Sequence, residues 1–163
     1  MNTRLFQTLL LFVFIVGISS AQKHIPKPPF TLALSAEKTT VTLRPELWVK
    51  LKWTNTSSQA LDASANILDA TSVDPNFRFE LLDENRHPVP KKAYTFSQTS
   101  GHAEFGTLNP GESVTHDVNL VRLFEIKQPG KYMVQVSRAI PEALGKDTVK
   151  SNTLIITVVQ AST

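Results

Sequence analysis

Leu47, Val49, Leu51 and Trp53 alternate with Trp48, Lys50, Lys52 and Thr54. A period of two suits a strand with one buried face and is incompatible with a helix. The same period returns in Phe30, Leu32 and Leu34, in Phe77, Phe79 and Leu81, in Val114, His116, Val118 and Leu120, and in Tyr132, Val134 and Val136. Weaker versions occur at Leu61, Ala63, Ala65 and Ile67 and around Tyr94 and Phe96. Turn formers separate these runs: Asn55-Thr56-Ser57-Ser58, Asp83-Glu84-Asn85, Asn109-Pro110-Gly111-Glu112 and Pro129-Gly130. Pro110 presets φ and Gly111 is free to take φ > 0, so that turn is the strongest of them. Only Val121–Ile126 and Pro141–Leu144 suit a helix, about one turn each. The pattern predicts an all-β fold, an antiparallel sandwich of seven to nine short strands.

Three features depart from simple alternation. The apolar phase moves from even to odd positions across Ala36-Glu37-Lys38, before Val41 and Leu43. A kink or a switch between sheets is the expected cause. Trp48 is apolar on the lysine-bearing face of its strand. A loop or the other sheet is expected to cover it; the alternative is a platform on which a ligand stacks. Leu154–Val159 is apolar on nearly both faces, which predicts a central strand.

The chain has 163 residues and no cysteine. That length suits one domain, and the lack of thiols excludes a disulfide framework, a thiolate zinc site and a cysteine nucleophile. Arg4, the apolar run Leu9–Ile18 and Ser19-Ser20-Ala21 stand in the order of a secretory signal peptide cleaved after Ala21. The run falls short of the roughly 20 apolar residues that span a bilayer, so no membrane span is expected after cleavage. Residues 1–21 are therefore read as signal peptide and 22–29 as an extended linker stiffened by Pro26, Pro28 and Pro29. Residues 30–160 are read as the domain, and the expected location is secreted or periplasmic. Basic residues are scattered and the formal charge is only +3, so no nucleic acid is expected as a partner.

Gly130-Lys131-Tyr132-Met133-Val134 resembles the immunoglobulin-type strand in which a glycine, a tyrosine and a core residue stand at alternate positions. Val134 occupies the place where that family often has cysteine, and Gln128 replaces the usual acidic residue. These departures leave the sandwich itself intact. Trp53-Thr54-Asn55-Thr56-Ser57, Leu108-Asn109-Pro110-Gly111-Glu112-Ser113, Leu123-Phe124-Glu125-Ile126 and Lys150-Ser151-Asn152-Thr153 are similar to pieces of uncharacterised secreted bacterial immunoglobulin-like β-sandwich proteins. The Pro-Gly-Glu and Pro-Gly-x-Tyr pieces also resemble the bacterial intracellular proteinase inhibitor family. The resemblance implies an immunoglobulin-like antiparallel β-sandwich, with Trp53, Pro110, Gly111, Gly130, Tyr132 and Val134 in structural roles. It also implies a corner hydrogen bond from Tyr132 to the preceding loop, near Phe124–Lys127.

Chemistry has thin support. No G-x-S-x-G elbow occurs, and adjacent Asp83 and Glu84 suit a solvated turn. His24, His87, His102 and His116 share no metal-ligand spacing, and His116 is expected in the core or at a sheet edge. Cleavage after Ala21 would put His24 third in the chain, where an amine, two amides and an imidazole suit Cu(II). An N-terminal Gln22 can cyclise and block that amine, and a histidine at position three also arises by chance; no metal, cofactor or catalytic residue is expected. Asn55-Thr56-Ser57 fits a glycosylation sequon as well as a turn.

The sequence thus predicts a non-catalytic binding or structural module whose partner is a protein or an envelope component, held by loops or an edge strand. The alternative is an inhibitor-like domain presenting Pro88-Val89-Pro90 or Pro141-Glu142 to a protease. A copper-binding or enzymatic sandwich comes third.

Overall fold

Alternation becomes two sheets whose apolar faces meet. The computed structural model describes residues 27–43, 46–62, 77–92, 106–144 and 147–160. The predicted signal peptide, His24, most of the linker, His102, the 63–67 half of one weak strand and the Tyr94–Phe96 strand lie outside these residues.

The first sheet has the order β1-β3-β7, from β1 (Phe30–Ser35), β3 (Trp48–Asn55) and β7 (Ser113–Asn119), and both pairings are antiparallel. The second runs β2-β10-β8-β5, from β2 (Thr40–Thr42), β10 (Leu154–Val159), β8 (Gly130–Ala139) and β5 (Phe77–Leu82). The far end of β8 also pairs with β9 (Thr148–Lys150). A two-residue pair, β4 (Leu61–Asp62) and β6 (Thr107–Leu108), stands apart. One helical turn, α1 (Leu120–Leu123), begins at the N-cap Asn119, and Glu142–Leu144 form a single 3-10 turn. Among the described residues, no helix is long and apolar enough to cross a membrane.

Two details correct the sequence expectation. Ten strands occur among the described residues, more than seven to nine, because pieces of two or three residues such as β6 and β9 are too short to show a period. The sandwich is also not wholly antiparallel: β2 runs parallel to β10, with Thr40, Val41 and Thr42 opposite Thr157, Val158 and Val159. The phase slip accounts for this, since β1 pairs in one sheet and β2 in the other, and the chain crosses between them at residues 36–39.

Inward residues of both sheets form one core. Phe30, Leu32, Leu34, Val49, Leu51 and Trp53 face Phe79, Leu81, Tyr132, Val134, Val136, Ile156 and Val158. Each such apolar side chain contributes about 1.5–3 kcal/mol when fully buried. Trp53 spans the layers, edge-on to Phe30 and to Phe77 with both centroids at 5.9 Å. The Arg138 guanidinium carbon lies 4.4 Å from the Trp53 ring centroid and 4.5 Å from that of Phe77, closing this end of the core with a cation on two π faces. β10 is interior to its sheet, yet only one of its faces is covered. Ile156 and Val158 are buried, whereas Ile155 and Val159 are exposed.

The turn pieces act as fasteners. Gly111 has φ +82° after Pro110, and Glu112 N–H donates to Asn109 O (3.0 Å), as in a type II turn. Asn152, in the step between β9 and β10, accepts from Leu34 N–H (2.8 Å) and donates to Leu34 O (3.0 Å), linking the two sheets.

Candidate functional site

A broad groove lies where the chain crosses from sheet to sheet. Leu47 N–H donates to the buried Asn119 Oδ1 (3.2 Å), and Leu120 N–H to Leu47 O (2.8 Å). The start of β3 is thereby fixed against the end of β7, and the pleat turns Trp48 outward. Its indole is 41% exposed, which overturns the expectation of a cover. The crossover lies beside the indole, because its residues continue into β2 at the edge of the second sheet. Glu37, Lys38 and Val41 form one wall, Lys50 and Asp117 the other, with Trp48, Glu46 and Leu47 between them. The groove holds about 720 Å³, within the roughly 300–1,000 Å³ of ligand pockets.

Its polar groups are tied to one another. Trp48 Nε1–H donates to Glu46 Oε2 (3.3 Å), which sets the azimuth of the indole. Lys50 Nζ lies 3.7 Å from Glu37 Oε1 and 3.8 Å from Asp117 Oδ1, joining the two walls. All three side chains are well exposed, so these pairs organise the rim and add little stability.

A smaller cavity, about 260 Å³, sits at the corner occupied by Tyr132. The Tyr132 hydroxyl donates to Gln128 O (2.7 Å), one residue beyond the segment expected to supply its partner. Burial raises the phenol's pKa above its ordinary 10.0, and the nearby Asp83 and Glu84 charges add to it. Asp83 is occupied in a turn, accepting from Asn85 and His87 N–H groups at 2.9 and 2.8 Å. Glu125 accepts from Lys127 Nζ at 2.6 Å, which lowers its pKa. Among the described residues, no three His, Asp or Glu side chains gather as a metal would require. His116 is half-buried in β7, opposite Leu51.

Asn55 is fully buried. Its Nδ2 donates to Gln59 O (2.7 Å) and Leu108 O (2.8 Å), and its Oδ1 accepts from Ser57 N–H and Oγ–H at 2.9 and 2.8 Å. Both amide hydrogens are committed, so the sequon is a structural turn with no room for a glycan on that nitrogen. The proline-stiffened segments are equally engaged. Val89 N–H donates to Leu81 O, Glu125 N–H to Pro90 O and Lys92 N–H to Leu123 O, at 2.8, 2.9 and 2.9 Å. Residues 88–92 therefore lie against β5 and the α1 loop.

Sequence reasoning singled out Trp48 but missed its neighbours Glu37, Glu46 and Asp117. They come from three segments, and the available signal was the phase slip, which places residues 36–39 beside β3.

These observations define a class: an all-β sandwich with an exposed aromatic groove at its sheet-crossing edge. No protein-family model and no curated protein matches the chain. Six chains of solved structures match. One is a family 123 glycoside hydrolase from Clostridium perfringens, described for the details of glycolipid glycan hydrolysis. It is 11% identical, with a TM-score of 0.36, over 82% of this chain and 28% of that one. So loose a likeness carries no argument about activity.

Proposed function

We propose that the protein is a secreted or periplasmic, non-catalytic binding module of immunoglobulin-like build whose binding surface is the Trp48 groove. The observation that carries this reading is the exposure of Trp48 beside a groove while Trp53, Phe30, Phe77, Phe79, Phe124 and Tyr132 are buried. Exposing a large aromatic forgoes its burial energy, and in a concave setting that surface is available to a ligand. The Tyr132–Gln128 bond supports the immunoglobulin-like build. The binding reading gains over an inhibitor because residues 88–92 are bonded on both sides, whereas a loop entering a protease cleft must stand clear of its own domain. Pro141-Glu142 leads into a 3-10 turn, a poor match to an extended segment in a cleft.

The exported protein, incubated with native envelope material, should be retained, and Trp48→Ala should lose most of that retention while melting like the parent. Equal retention of the two proteins would refute the groove. Intact-mass analysis should find the exported chain starting at Gln22; a membrane-held chain with Met1 intact would refute the export.

A further inference from the structure

We infer that the Trp48 groove takes a neutral saccharide, an assignment that rests on the groove's being the binding surface. Among the described residues, the Trp48 indole is the one aromatic ring that lines the groove, and its edge is held by Glu46, so its face is presented without a second ring opposite. That suits the C–H face of a pyranose, which stacks on one aromatic plane. It suits a quaternary ammonium ligand poorly, because such ligands are held by several rings in a cage.

Charge narrows the choice further. Among the described residues, three carboxylates, Glu37, Glu46 and Asp117, stand against two ammonium groups, Lys38 and Lys50. Lys50 lies between Glu37 and Asp117, so a phosphate or uronate would have to compete with two carboxylates for it. A lipid chain or an apolar helix would leave those ion-paired walls desolvated, which is costly. A neutral ring of hydroxyls meets none of these penalties. Each hydroxyl both donates and accepts, so it can donate a hydrogen bond to Glu37 or Asp117 and accept one from Lys50. Such bonds to charged partners are the stronger kind.

The test uses the exported protein in native gels cast with a neutral β-glucan, xylan or galactomannan, and with polygalacturonate as the acidic control. The chain has two tryptophans, and Trp53 is buried, so a ligand-induced change in fluorescence reports Trp48. At least one neutral polysaccharide should retard the protein and shift that emission. Trp48→Ala should weaken binding about tenfold or more, as truncating an aromatic anchor does, with Trp48→Phe between the two. Lys50→Met should cost about tenfold or more, the loss of one hydrogen bond to a charged group, and Asp117→Asn, which keeps an acceptor without the charge, about threefold to tenfold. Raising NaCl to about 0.5 M should leave a neutral ligand bound. Silence across the neutral panel, retardation by polygalacturonate alone, or undiminished binding by Trp48→Ala overturns the assignment. If Trp48→Ala still abolishes envelope retention while the panel is silent, the saccharide falls and the groove stands. If it leaves retention unchanged, both fall.

Discussion

Removing the Asn55 side chain should unfasten one end of the sandwich. That side chain joins the end of β3 to the 57–59 turn and to β6 through four hydrogen bonds. The backbone bonds of residue 55 to Gly111 and Glu112 survive any substitution, so only the side-chain bonds are at stake. Ser57 and Gln59 lie at or near the surface, where water can replace the lost partner, and their bonds contribute about 0.5–1 kcal/mol each. Leu108 is only 5% exposed, and its orphaned carbonyl costs about 1–3 kcal/mol. Asn55→Ala should therefore destabilise by about 2.5–6 kcal/mol and lower the urea midpoint by about 1–3 M. Asn55→Asp should be worse at pH 7. It keeps the acceptor for Ser57 but points a buried carboxylate oxygen at two carbonyls. Burial raises the folded-state pKa of that Asp above its unfolded value of about 3.9. The variant is thus least impaired below about pH 4, where the acid is neutral and can donate, and it loses stability as pH rises through the folded-state pKa. Urea melts of parent, Ala and Asp variants at pH 4 and pH 7 decide the matter. An Ala variant within about 0.5 kcal/mol of the parent, the range of an ordinary surface change, would refute the reasoning, as would an Asp variant more stable than Ala at pH 7.

Three other perturbations test separate fasteners. Tyr132→Phe should cost about 1 kcal/mol, because Gln128 is exposed and its carbonyl can be rehydrated, whereas Tyr132→Ala should cost about 3–5 kcal/mol through the cavity. The raised Tyr132 pKa means the unfolded chain ionises first, so stability is intact below about pH 10 and falls above it; urea melts at pH 8 and 10.5 should show a smaller alkaline loss in Tyr132→Phe. Gly111→Ala meets no atom within 4 Å of the new Cβ, so its cost of about 1 kcal/mol is conformational, from φ +82°, and a thermal melt measures it. Arg138→Ala should cost about 1–2 kcal/mol by uncovering Trp53 and Phe77, with a change in the near-ultraviolet signal of Trp53; an unchanged spectrum and midpoint would assign that end of the core to other contacts.

Pleated strands with one wet face write themselves into the sequence, which is why β1, β3, β5, β7 and β8 were legible. Length limits the rest. A strand of two or three residues, such as β6 or β9, shows no period, and nothing in the order of residues announces a parallel partner for β2. Leu154–Val159 misled in a different way: apolarity on both faces signalled an interior strand, and β10 is interior in its hydrogen bonding, yet Ile155 faces solvent. Hydrogen-bond neighbours and face coverage are separate properties, and composition reports only their sum.

The groove illustrates the same separation. In the sequence, the phase slip at residues 36–38 and the tryptophan on a lysine face are two unrelated irregularities. In the fold they share a cause. Crossing between sheets takes the chain off the first sheet after Ser35, so the face of β3 next to it loses the strand that would have continued beside Trp48. Lys50 still pairs in register with Ser35 and Asp117, but Trp48 pairs with Asn119 alone. A strand position with a neighbour on one side only is where an outward indole stays uncovered. The crossover then returns Glu37 to within ion-pair distance of Lys50, giving the open side a polar wall. The crossover that breaks the alternation therefore also makes the groove, and a change that straightened residues 36–39 into a continuous β1 should close the groove without touching Trp48.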